Sequence, residues 1–176
     1  MIRWYKYMIL QNEFKIYFNQ WPWEWFLSLN LERGEADSLI RRYARELGLS
    51  EKLQIACQGV ASFIPQRHIH LMALGRNRHG KTLIDCNVHD AERLWGRLTK
   101  KSAFIKPVYD SGAVGYIVDQ NMPKERYEMV MPYNKKLLEK CKIRTRLPSA
   151  PSALFSKGTA SPLTFIKGVS ACWEIV

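Results

Sequence analysis

Only four cysteines occur in this chain of 176 residues, at positions 57, 86, 141 and 172, and none belongs to a Cys-x-x-Cys pair. That spacing excludes a zinc ribbon and a dense disulfide framework, and it fits thiols kept reduced in a cytoplasmic setting. Long apolar runs are missing too. Arg3, Lys6, Glu13 and Lys15 interrupt the hydrophobic opening, and no stretch approaches the roughly 20 apolar residues of a membrane span. Acidic residues are scarce, 16 Asp+Glu against 27 Lys+Arg, which leaves a net charge of +11. A surplus of that size points to a polyanionic partner, nucleic acid before a membrane surface. No Gly-rich loop ending in Lys-Ser or Lys-Thr follows residue 121, so a helicase domain is not expected.

What the chain does have is enough apolar residue, 47%, for one good core. We divide it into an N-terminal extension (1–22), a central domain (23–132) and a basic C-terminal segment (133–176). The extension is rich in Tyr, Phe, Trp and Ile, which suits a helix packing against either the body or bound DNA. In the C-terminal segment a basic helix is expected over 134–143. A Ser-, Pro- and Ala-rich, partly flexible linker follows, then an apolar end that either docks back or stays disordered.

Within the central domain, Trp25 to Leu31 alternates apolar and polar positions as a half-buried strand does. From Glu35, apolar residues at 36, 39, 40, 43, 44 and 47 fall at helical steps, and Gly48 is expected to end that helix. Strands are predicted over 53–63 and 67–74, joined at Pro65-Gln66 as an antiparallel hairpin, then a helix over 88–98 capped by Asn87 or Asp90. A strand over 104–108 and a helix over 113–121 complete the series. This βαββαβ order predicts an α+β fold, an antiparallel sheet of ferredoxin-like or RRM-like (split βαβ) topology. In it helices cover one face and the other is free for metal and DNA.

Three residues or groups carry candidate chemistry. His68 and His70 flank Ile69 in the predicted second hairpin strand, so their side chains share a face while Ile69 and Leu71 enter the core. Two imidazoles side by side can hold a divalent ion, or they can simply occupy a solvated sheet face. Gln58 stands in an otherwise apolar part of the partner strand. It suits a third ligand or an amide bonded to backbone. Tyr116 lies off the apolar stripe formed by Val114, Ile117 and Val118 at about 100° per residue, which leaves it either a nucleophile or an edge-packing aromatic. Arg67, Arg76, Arg78, Lys81 and Lys106 are the candidate DNA-contacting cations. His79, in the Gly75–Lys81 loop, suits a place near phosphates better than a ligand.

Trp-Phe-Leu-Ser-Leu-Asn before a helix, His-Ile-His on a strand, and a later Gly-Ala-Val-Gly-Tyr-Ile-Val-Asp-Gln-Asn helix together resemble the HUH endonuclease superfamily. The closest pattern is that of the single-tyrosine replication initiators (Rep proteins) of rolling-circle plasmids and small single-stranded DNA viruses. The resemblance spans about residues 23–121. It implies His68, His70 and Gln58 as ligands of Mg²⁺ or Mn²⁺, and Tyr116 as the nucleophile that nicks single-stranded or hairpin origin DNA. The enzyme would stay joined through a 5′-phosphotyrosine, free a 3′-hydroxyl, and later reverse the step. Unwinding and synthesis would fall to host helicase and polymerase. Many relatives carry a lysine three residues after the tyrosine. Here Asp119 occupies that place, and the role passes to Lys106, to Lys124 or to no residue. Relaxases and REP-associated transposases share the chemistry, and a non-catalytic nucleic-acid module and a metal-independent RNA-processing nuclease remain alternatives.

Overall fold

The computed structural model describes residues 11–32, 36–63, 66–110, 112–121 and 127–143. Residues 1–10, Lys124 and the whole run from 144 to 176 lie outside them, and with them the readings made of the linker and the apolar end. All described residues belong to one compact unit, 1–144.

Five strands form one antiparallel sheet: β1 (Trp25–Asn30), β2 (Gln54–Ser62), β3 (His68–Arg76), β4 (Ala103–Pro107) and β5 (Tyr127–Tyr133), in the spatial order β4-β1-β3-β2-β5. The helices are α1 (11–18), α2 (Ala36–Glu51), α3 (Val88–Thr99), α4 (Gly112–Asn121) and α5 (Lys135–Cys141). The protein is therefore α+β. The predicted strands and helices of the central domain are present, and β5 is the addition. Its sequence, Tyr-Glu-Met-Val-Met-Pro-Tyr, pairs with β2 across an irregularity where Cys57 meets Tyr133 but Gly59 meets Val130. The extra residue falls around Pro132, which has no N–H to give to a ladder.

Alternation along the strands builds two cores. Trp25, Leu27, Leu29, Ile55, Cys57, Ile69, Leu71 and Ala73 face α2 and α3, which contribute Ile40, Tyr43, Leu47, Ala91, Leu94 and Trp95. The Tyr43 hydroxyl donates to the Ala91 carbonyl at 3.1 Å and ties the two helices together. Phe26, Ala56, Val60, Met72 and Leu74 face the other way, against Phe18 of α1, Trp21, Trp23, Val114 and Ile117 of α4, and Leu137 and Leu138 of α5. The expectation of helices on one face only is corrected by this second layer. The described part of the N-terminal segment, from residue 11, packs on the body: the indole N–H groups of Trp21 and Trp23 donate to the Leu138 and Phe18 carbonyls at 2.9 and 2.7 Å.

Helix boundaries differ in one instructive place. α2 runs through Gly48 to Glu51, and the residue after it, Lys52, has a left-handed φ of 55°. The Leu53 N–H closes back on the Gly48 carbonyl at 2.9 Å. A Cβ at position 48 would stand 2.8 Å from the Leu53 oxygen, so the glycine admits the returning chain rather than stopping the helix.

Candidate metal and nucleic-acid site

The even-numbered residues of the central strands share the face packed by α4. Register places Phe104, Ser28, His70, Val60 and Met129 in one cross-strand row, and Lys106, Phe26, Met72 and Gln58 in the next. The helical layer covers part of this face and leaves the end around His68 and Ser28 partly accessible.

The two histidines converge. Their Nε2 atoms are 3.0 Å apart, and His68 Nδ1 lies 2.6 Å from the Gln66 carbonyl. A carbonyl only accepts, so His68 Nδ1 carries the proton and its Nε2 presents a lone pair toward His70. The carbonyl thereby fixes the tautomer that a metal ligand needs. His70 is buried, and that burial first, then the neighbouring His68, pushes its pKa down to about 4. It is neutral at physiological pH.

α4 brings Tyr116 onto this pair. Its ring centroid is 5.5 Å from His70 and 5.6 Å from Phe26, edge-on to both, while Phe26 and His70 stack at 5.6 Å. Val114, Ile117 and Val118 are buried as the helical stripe requires, whereas Tyr116 remains 46% exposed. Lys106 adds a cation: its ammonium lies 5.7 Å from the centre of the Phe26 ring. Asp119 is engaged elsewhere, paired with Lys15 of α1 at 2.9 Å.

Gln58 has a divided environment. Its Nε2 donates to the Val130 carbonyl at 2.7 Å, beside the β2–β5 irregularity, which fixes the amide orientation. Its Oε1 is buried with no partner among the described residues. Since Gln58 pairs with Met72 and Val60 with His70, Gln58 sits diagonal to His70. Two imidazole nitrogens 3.0 Å apart, with an orphaned amide oxygen on the diagonal residue of the next strand, are donor types that a divalent ion accepts. Ligands at about 2.1 Å and right angles to one another stand about 3.0 Å apart, the separation of the two Nε2 atoms. Among the described residues no group of three His, Cys, Asp or Glu side chains gathers anywhere, so the set rests on the amide.

The other candidate cations are dispersed. Arg67, just before β3, lays its guanidinium 5.3 Å from the Phe63 ring centre, and its buried Nε has no partner among the described residues. Arg76, Arg78 and Lys81 belong to the far end of the sheet, Arg76 about 27 Å along β3 from His68. Arg76 pairs with the buried Glu24. Glu24 also accepts from the Gly75 and Leu83 N–H groups at 3.1 and 2.9 Å, a structural clamp that sequence reasoning missed. A carboxylate between tryptophans in an apolar stretch was the available signal. Lys81 is bonded to Glu51 at 2.8 Å, and Arg78 donates to His79 Nε2 at 3.1 Å.

Compared with known proteins, the chain matches no family model, no curated protein and no solved structure.

Proposed function

We propose that this protein is a metal-dependent DNA nicking and joining enzyme of the HUH type, a replication initiator acting on single-stranded or hairpin DNA. The observation that carries the reading is the meeting of His68, His70 and Tyr116 on one sheet face, with the two Nε2 atoms 3.0 Å apart and the tyrosine ring 5.5 Å from His70. The strand order β4-β1-β3-β2, with α2 and α3 as the two crossovers, supports a ferredoxin-like frame extended by β5.

His68, His70 and the Gln58 oxygen would hold Mg²⁺ or Mn²⁺. When bound, such an ion polarises the phosphoryl oxygen and stabilises the charge that develops on it. Tyr116 supplies the nucleophile: its oxygen forms a bond to phosphorus as the bond to the 3′-oxygen breaks. The phenol gives up a proton, and the departing 3′-oxygen ends as a hydroxyl. One phosphoester replaces another, so the same 3′-hydroxyl can reverse the step and rejoin the strand. Lys106, at the rim of the ring cluster, offers a positive charge to the phosphate.

The test is covalent capture. Incubated with origin-like single-stranded DNA and Mn²⁺, the wild type should form a protein–DNA adduct that survives denaturing electrophoresis, and EDTA and Tyr116→Phe should each abolish it. An adduct that persists in Tyr116→Phe assigns the nucleophile elsewhere, with Tyr109 and Tyr127 next to be tested.

A further inference from the structure

β4 is an edge strand, and its outward residues lie on the histidine face. Ile105 turns into the core against α2 and α3 at 4% exposure, whereas Phe104 is left 58% exposed. Phe104 shares a cross-strand row with Ser28 and His70, two strand spacings or about 10 Å from the latter. On the same strand and face, Lys106 sits over Phe26, the ring that touches both His70 and Tyr116. At the exposed edge of the sheet an aromatic plate and a cation thus stand at the ends of two neighbouring cross-strand rows, the first leading to His70 and the second to Phe26.

We propose that Phe104 is a stacking platform for a nucleobase of single-stranded DNA whose neighbouring phosphate lies at His68, His70 and Tyr116. This rests on the nicking reading given above. The ring offers a flat apolar face that any base can cover without hydrogen-bond readout, and the adjacent ammonium and the net charge of +11 favour a polyanionic strand over an apolar protein segment. On this arrangement one base is pinned beside the phosphate to be cut, which holds the strand in register without specifying its sequence.

The experiment separates base from backbone. A labelled single-stranded dT oligomer and an all-abasic oligomer of equal length carry the same phosphate charge, and their affinities are compared in EDTA by fluorescence anisotropy. Wild type should prefer the dT oligomer. Phe104→Ala should weaken dT binding by about 5- to 150-fold, the range typical of one base–aromatic stack, with abasic binding unchanged. Phe104→Trp should retain dT binding. Equal loss on both oligomers, or no loss on either, overturns the proposal. Adduct formation with Mn²⁺, run on wild type in parallel, distinguishes the failures: an adduct without a Phe104 effect leaves nicking standing, and a Phe104 effect without an adduct leaves stacking standing.

Discussion

The carbonyl oxygen of His70 lies against the bare Cα of Gly59, so closely that a Cβ at position 59 would overlap it and also come within 2.8 Å of a Leu71 methyl. β2 can run this close beneath the second histidine only because the residue there has no side chain. Gly59→Ala should therefore push β2 and β3 apart, cost about 1–3 kcal/mol in overpacking, and displace His70 from His68. Thermal unfolding and Mn²⁺ titration should fall together; a variant with wild-type values in both sinks the argument.

Gln58 is satisfied at its nitrogen and bare at its oxygen, which predicts an opposed response to Gln58→Glu. The substitution removes the donor to the Val130 carbonyl and buries a carboxylate, so the metal-free protein should lose about 1–3 kcal/mol. An anionic oxygen is a better ligand for a hard cation, so Mn²⁺ should restore more stability to the variant than to wild type. Melting curves in EDTA and in Mn²⁺ decide it: equal metal-induced shifts in the two proteins would remove Gln58 from the ligand set.

The burial of His70 gives a pH dependence with a definite sign. Its pKa is about 4 in the folded protein, against about 6.5 in an unfolded chain. Above pH 6.5 both states are neutral there and the full stability is present. As pH falls toward 4 the unfolded state takes up the proton first, and stability on the order of 3 kcal/mol is lost across that window. Denaturant titrations in EDTA at pH 7 and pH 5 should show this loss in wild type and a smaller one in His70→Asn. Identical losses would mean that another group titrates.

These expectations depend on features the sequence exposes unevenly. The His-x-His spacing and the off-stripe Tyr116 follow from strand and helix periods, so their faces are legible from local pattern alone. The contacts between them are not, because β1 supplies Phe26 between the two only through long-range pairing. β5 escapes reading since Pro132 interrupts an otherwise strand-like run, and the sheet accommodates it by an irregularity. The second helical layer escapes for a related reason. Phe18, Trp21 and Trp23 are apolar whether they cover a sheet or face DNA, and only the tertiary partners Leu137 and Leu138 decide.

Lys106 is the last site residue whose role can be isolated, because it is exposed and its loss leaves the core intact. A lysine meeting a phosphate contributes one released counterion. Lys106→Met should thus lower the slope of log affinity against log salt for single-stranded DNA by about 0.7, and weaken binding to all sequences alike. If the ammonium also stabilises charge on the phosphate during transfer, adduct formation at saturating DNA should slow as well. Binding and single-turnover rates measured on the same oligonucleotide separate the two contributions. A reduced salt slope with an unchanged rate confines Lys106 to docking, and an unchanged slope places it outside the DNA path.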